Sequence, residues 1–280
     1  TKFVTNHEEI LLEIDEHDRA SEVKEFDKGA VSKALGVSWD VKEDVFKVSV
    51  NVQEREVTRK SMLSTIASMY DPLGLVTPCA ITGRMLFQDA TKLKLNWDEQ
   101  VPSDIADKWF KWLHSLDDLN NVTFPRCLKL GVAEDAVYEV HNFSDASQKG
   151  YGCCSYLRCI STNGDVHVSL IMSKGRISPM KQVSIPRLEL QAALLSAQLN
   201  EVVCRELDLP ISKSYFWIDS QIVLAYIKNE NKRLKVYVAN RVSMINSISK
   251  PSQWKFVSGK YNIADSVSRG MSPVELQQSR

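Results

Sequence analysis

The sequence predicts an α/β fold: a five-stranded mixed sheet with flanking helices, preceded by a smaller β-hairpin plus a helical segment. Three observations point there. From about residue 136 onward, strand-like runs exchange with helical stripes in the order β-β-β-α-β-α-α-β-α. Before that, two strand-like runs flank a short polar stretch, and three helical patterns follow. The 280 residues are 44% apolar and 25% charged, which suffices for a buried core and excludes a disordered or low-complexity chain.

Residues 1–28 carry nine carboxylates against four Lys and Arg and are expected to be an acidic lead-in. The runs Leu35-Gly36-Val37-Ser38-Trp39 and Val45–Val50 predict a hairpin that turns through Asp40–Asp44. Thr58 is placed to cap a helix whose apolar face is Met62, Ile66 and Met69. Asp71-Pro72-Leu73-Gly74 predicts the turn that ends it. A second helix starts near Pro78, and a third opens at Pro102-Ser103-Asp104 with Trp109 and Trp112 near one face, read as core or interdomain packing. Residues 119–135 read as a connector. The second part contains strands at Val137–Phe143, Gly150–Ile160, Val166–Ser173, Ser214–Ile218 and Trp254–Val257. Its long helix, Pro186–Leu207, has the stripe Leu188, Ala192, Leu195, Leu199 and Val202. Shorter helices are expected at Ser220–Ile227, Leu234–Ile248 and Ile263–Ser268. The expected organisation is a lead-in at 1–28, parts at 29–135 and 136–271, and a tail at 272–280.

No apolar run approaches the roughly 20 residues of a membrane helix, so no membrane partner is expected. The chain opens on Thr, without the layout of a signal peptide, and is expected to be a piece of something longer or a processed product. Its six Cys form no CxxC pair or zinc-type spacing, which predicts buried free thiols in a reduced, intracellular setting. No compact Lys/Arg run distinguishes cytoplasm from nucleus. Net charge is zero, but residues 136–270 hold 17 Lys and Arg against 10 Asp and Glu. That basic half suits a polyanionic partner and equally suits a solvated basic surface.

Four carboxylates stand at strand and helix ends, where α/β sheets present ligands. Asp145 ends the first strand, Glu189 lies near the start of the long helix, Asp219 ends the fourth strand, and Asp265 opens the last helix. Each alone also fits a turn, an N-cap or a partner for the helix dipole. If the four converge, they repel one another unless a cation sits between them. Mg²⁺ takes such oxygen ligands, and two ions can activate a water and stabilise the leaving oxygen of a phosphodiester.

The segments FSDAS, PRLELQAAL, WIDSQIVL and NIADSVSRG resemble the D-E-D-D carboxylate set of retroelement ribonuclease H. Upstream, KALGVSWD, RKSMLSTIASMYDPLGLVTP and LKLNWDEQVP resemble the BEL/Pao class of LTR retrotransposon Pol proteins, at the end of the reverse transcriptase and beyond. The resemblance covers about residues 30–271. It implies a ribonuclease H-like sheet in which Asp145, Glu189, Asp219 and Asp265 are both catalytic residues and ligands of two Mg²⁺ or Mn²⁺ ions. The implied partners are an RNA–DNA hybrid, whose RNA strand is cut, and other parts of a Pol polyprotein. Ser220 and Gln221 are candidates for a phosphate or 2′-OH contact, by which RNA is told from DNA. Ser147 and the basic residues Lys174, Arg176, Lys181 and Arg187 are candidate backbone contacts. Lys232, Arg233 and Lys235 form a second basic cluster.

Two departures stand out. The family's His before the last catalytic Asp is absent, with Phe256 in its place. The paired Asp of a polymerase YxDD turn is also absent, so residues 29–135 are expected to be a remnant, a palm hairpin and thumb or connection helices. The upstream block has also been labelled an A17-family peptidase, yet no Asp-Thr-Gly or Asp-Ser-Gly loop occurs. The alternative to a nuclease is a decayed or fragmentary retroelement protein that only binds nucleic acid.

Overall fold

Two sheets, one small and one of five strands, organise the chain in a computed structural model. The residues described are 8–15, 17, 31–34, 37–48, 50, 54–129, 131–132, 135–231 and 233–279. Most of the acidic lead-in, Leu35-Gly36 and Lys232 lie outside them. A short helix, α1 (Glu8–Glu13), precedes the small sheet, which contains β1 (Val31–Ala34), β2 (Val37–Asp40) and β3 (Val45–Lys47). The predicted hairpin is β2–β3, with Trp39 opposite Phe46. Its turn is closed by the Trp39 indole N–H, which donates to Asp44 at 3.0 Å. The expected connector 119–135 instead supplies β4 (Thr123–Pro125), which sets Phe124 opposite Phe46. A three-residue strand ending in Pro is too short to show alternation.

The helices α2 (Arg59–Ser68), α3 (Thr77–Lys92) and α4 (Ser103–Ser115) follow as predicted. Thr58 caps α2 through a reciprocal box with Ser61. Asp71 accepts from the Leu75 and Val76 amides at 2.8 Å, satisfying donors ahead of α3. Trp109 and Trp112 are core: their rings lie 4.6 Å apart, and the Trp112 indole donates to the Cys79 carbonyl. The residues expected as a tail form α9 (Pro273–Gln278), whose Leu276 packs into this same helical core.

The larger sheet contains β5 (Val137–Ala146), β6 (Gly150–Ile160), β7 (Val166–Ile177), β8 (Ile211–Ile218) and β9 (Trp254–Phe256). Their spatial order is β7-β6-β5-β8-β9. The first three pair antiparallel, while β8 runs parallel to both β5 and β9. The sheet is therefore mixed, as expected. On one face lies α5 (Ile185–Glu206), which buries Leu188, Ala192, Leu195, Leu199 and Val203. A buried polar link reinforces that packing: Asn142 on β5 donates to Asn200 on α5 and accepts from Ser155 on β6. The remaining helices are α6 (Gln221–Ile227), α7 (Val236–Ile248) and α8 (Asp265–Arg269). α8 covers part of the opposite face, where Val267 and Ala264 meet Cys154.

The Asp71-Pro72-Leu73-Gly74 turn joins the helical part to the sheet. The Ser173 amide on edge strand β7 donates to the Leu73 carbonyl at 2.9 Å, and the Ser173 hydroxyl donates to the Gly74 carbonyl. Gly74 has φ +70°, and a Cβ there would stand 2.0 Å from the Ser173 carbonyl oxygen. Only glycine permits both the backbone conformation and the approach. Arg84 of α3 donates to the Gly175 carbonyl on the same strand, and Gln88 donates to the Ser178 carbonyl just past the strand's end.

Candidate active site

Asp145 sits one residue before the end of β5, opposite Gly152 on β6, and is only 6% exposed. Its carboxylate accepts from the hydroxyl of Ser268 on α8, itself fully buried. Burial pushes the Asp145 carboxyl up, the Ser268 bond opposes this, and the charges of Asp219 and Asp265 push it further up. Glu189 projects from α5 and accepts from the Ser220 hydroxyl at 2.6 Å. Burial raises its carboxyl too, Ser220 opposes, and Asp219 and Asp145 add to the rise. Asp219 directly follows β8, whose end lies beside that of β5 because the two strands run parallel. Gly259 leaves room for it, since a Cβ there would lie 3.2 Å from Asp219 Oδ2. Asp265 opens α8 and pairs with Arg269 one turn later, at 2.5 Å. The four predicted acids thus gather at one end of the sheet.

The loop before Asp265 is held by a residue the sequence analysis passed over. Asn262 is buried, donates to the Ser144 carbonyl at 3.1 Å and accepts from the Ala264 amide. It pins the start of α8 to β5, one residue before Asp145. Ser268 was missed as well, although its place one helical turn after Asp265 is a signal.

The candidate nucleic-acid contacts are less unified. Ser147 closes the β5–β6 turn by accepting from the Gly150 amide, and it donates to the Ser268 carbonyl. The Ser220 hydroxyl is already engaged, donating to Glu189 and accepting from the Val223 amide as cap of α6. Gln221 is exposed at the first residue of α6. Lys174 and Arg176, expected in a connection, are exposed residues of the longer β7, two strands along from Asp145. Lys181 is exposed in the connection, and the Arg187 guanidinium lies 4.7 Å from the ring centre of Tyr237 on α7. Phe256 is 45% exposed on β9, paired with Ile218 beside Asp219.

A polar chain on the face opposite α5 leads toward the acids. The Trp217 indole N–H donates to His141 Nδ1 at 3.0 Å, and Glu139 joins His141 Nε2 to Arg158. An indole nitrogen can only donate, so Nδ1 is the acceptor and Nε2 carries the hydrogen toward Glu139. The two rings are 9° from parallel, which fixes Trp217 two residues before Asp219.

The donor set suits a hard divalent cation, being all carboxylate oxygen with charges that disfavour one another. The side-chain placement fits less well. Among the described residues, no three His, Cys, Asp or Glu form a group that could hold a metal ion. Ser268, Ser220 and Arg269 each bind one of the acids instead.

The family model for the Pao retrotransposon-like RNaseH-like domain matches residues 58–220, more than half of the sequence. The chain belongs to this family. The matched span runs from the cap of α2 to the cap of α6 and includes Asp145, Glu189 and Asp219, while Asp265 lies beyond it. No curated protein matches the chain. Among solved structures, ribonuclease H1 from the halophilic archaeon Halobacterium salinarum NRC-1 is 12% identical, with 46% of this chain and 92% of that one covered and a TM-score of 0.32. LC11-RNase H1 in complex with RNA/DNA hybrid is 10% identical, with the same coverages and a TM-score of 0.32. A foamy viral protease-reverse transcriptase in complex with dsDNA is 12% identical, with 83% of this chain and 45% of that one covered and a TM-score of 0.26. Among the described residues, no helix is long and apolar enough to cross a membrane.

Proposed function

We propose that this chain is a divalent-metal-dependent ribonuclease H-type endonuclease. It cuts the RNA strand of an RNA–DNA hybrid and acts within a BEL/Pao-type Pol polyprotein. The observation that carries the reading is the gathering of Asp145, Glu189, Asp219 and Asp265 at adjoining element ends, with burial and mutual charge raising Asp145 and Glu189. Two Mg²⁺ or Mn²⁺ ions, when bound, would activate a water and stabilise the leaving oxygen. The four acids would hold them. Ser268 and Ser220 orient Asp145 and Glu189, and Asn262 fixes the loop that delivers Asp265. The hairpin and helices of residues 29–135 are read as the end of a reverse transcriptase.

A second reading, nucleic-acid binding without cleavage, is favoured by two observations. Phe256 replaces the expected His, and among the described residues no three acids stand ready for a metal. The test is cleavage of a labelled RNA–DNA hybrid in Mg²⁺ and in Mn²⁺, with double-stranded RNA and DNA controls and Asp219→Asn beside the parent. Hybrid-only cutting that disappears in the variant supports the nuclease. Hybrid binding without cutting in either metal favours the second reading.

A further inference from the structure

Arg269 stands between an anionic cluster and an open cleft. Its Nε lies 2.5 Å from Asp265, and both side chains are open to solvent, 64% and 50% exposed. Asp145 and Asp219 also act on its charge. On its other side is an open cleft of about 530 Å³, bordered by Ala146, Ser147, Gln148, Lys149 and Ile185. Among the described residues no carboxylate lines that cleft, and Lys149 gives it a second cation.

The donors on the other acids differ in kind. Ser268 and Ser220 are neutral and each binds through one hydroxyl, so a carboxylate can keep that bond and turn another lone pair to a metal. A guanidinium has five donors, no acceptor and a permanent charge. Its charge repels a divalent ion, so its hold on Asp265 Oδ1 competes with metal at that carboxylate.

We propose that Arg269 is an exchanging counter-ion: it neutralises Asp265 while the acids are empty, and on metal loading it turns into the neighbouring cleft to bind a backbone phosphate of the nucleic acid. The inference rests on the metal-dependent reading above. An exposed pair one turn apart is weak, so the exchange meets little resistance. The five-residue helix holds Arg269 at the boundary between the two sites.

The test uses the whole chain as parent, Arg269→Gln and Arg269→Lys. Mn²⁺ binding is measured by calorimetry without nucleic acid. Loss of one unit charge beside a divalent ion in a solvent-exposed site is expected to tighten Mn²⁺ binding about 3- to 10-fold in Arg269→Gln. Arg269→Lys, which keeps the charge, stays near the parent. Binding of a hybrid with a 2′-O-methylated, uncut RNA strand is then followed against salt. With Mn²⁺ the salt slope of Arg269→Gln falls by about one phosphate contact, and without metal it matches the parent. Unchanged or weaker Mn²⁺ binding in Arg269→Gln overturns the counter-ion role, and an unchanged slope in Mn²⁺ overturns the exchange. A parent that takes up no Mn²⁺ sinks the metal-dependent reading and this proposal together.

Discussion

Replacing Gly74 with Ala probes how the helical part is fastened to the sheet. At φ +70° an alanine carries backbone strain of about 1 kcal/mol. Its Cβ would also stand 2.0 Å from the backbone oxygen of Ser173 and 2.8 Å from the Thr77 hydroxyl. A backbone oxygen in a strand cannot swing aside, so the turn must lift from β7. The two bonds between Ser173 and residues 73–74 then break, each worth about 1 kcal/mol, and the buried Ser173 loses its partners at a further cost of about 1–3 kcal/mol. The expected total is about 4–6 kcal/mol. Gly164→Ala is the control: its φ is +91°, and nothing lies within 4 Å of the added carbon. It should cost only the backbone strain, about 1 kcal/mol. Urea unfolding followed by Trp fluorescence and by circular dichroism measures both. Equal midpoints for the two variants would refute the docking argument, because strain alone would then account for Gly74.

Other expectations follow from the same geometry. The raised carboxyls of Asp145 and Glu189 mean that the folded state holds protons the unfolded chain has released. Their contribution to metal-free stability is therefore largest below the ordinary carboxylate range and falls as pH rises toward their folded values. Thermal melts across pH 4 to 8, on the order of the carboxylate range and above, should show this loss, and Mg²⁺ should offset it. Asp219→Asn should raise the metal-free melting temperature, by roughly 0.5–2 kcal/mol of stability, and abolish the Mg²⁺-induced shift; a destabilised variant would contradict the mutual repulsion. Burial raises the Cys79 and Cys153 thiols to about 12, so a thiol reagent should spare them until the chain unfolds, while the half-buried Cys127 and Cys204 react first. Ser220→Ala removes an N-cap and should cost about 1 kcal/mol in chemical unfolding.

Much of the fold was legible in the sequence because its signals are local. The stripe at 188, 192, 195 and 199, the cap at Thr58 and the Asp71–Gly74 turn each depend on neighbours a few residues apart. The four longer strands of the larger sheet offer runs long enough to read, apart from ends that extend by pairing: β5 runs on to Ala146, β7 to Ile177, and β8 starts at Ile211. What stayed hidden depends on distant partners. β4 is three residues long and exists because β3 offers an edge. Ser268 and Asn262 look like ordinary helix and turn residues until the register brings them to Asp145 and Ser144, more than 100 positions away. The polar chain from Arg158 to Trp217 spans three strands, and no spacing along one of them reveals it.

The helices ahead of the larger sheet cover its outer edge. A five-stranded sheet that ended at β7 would leave the outer backbone groups of that strand open to a neighbour. Here the Leu73 and Gly74 carbonyls take the donors of Ser173, Arg84 takes the Gly175 carbonyl farther along the strand, and Gln88 takes the Ser178 carbonyl just past its end. The Met271 amide returns to the Pro78 carbonyl, and α9 closes over the helical core. α3 also reaches α8, because a Cβ at Gly270 would stand 2.3 Å from the Thr82 hydroxyl. The helix that guards the sheet edge therefore also presses on the short helix carrying Asp265, Ser268 and Arg269. A cut between residues 135 and 136 would sever that contact along with the edge cover, so Asp145 would lose the support for its Ser268 partner. On that ground the helices from residue 58 onward work as part of the site's scaffold, which fits a family span that starts at the cap of α2 rather than at β5.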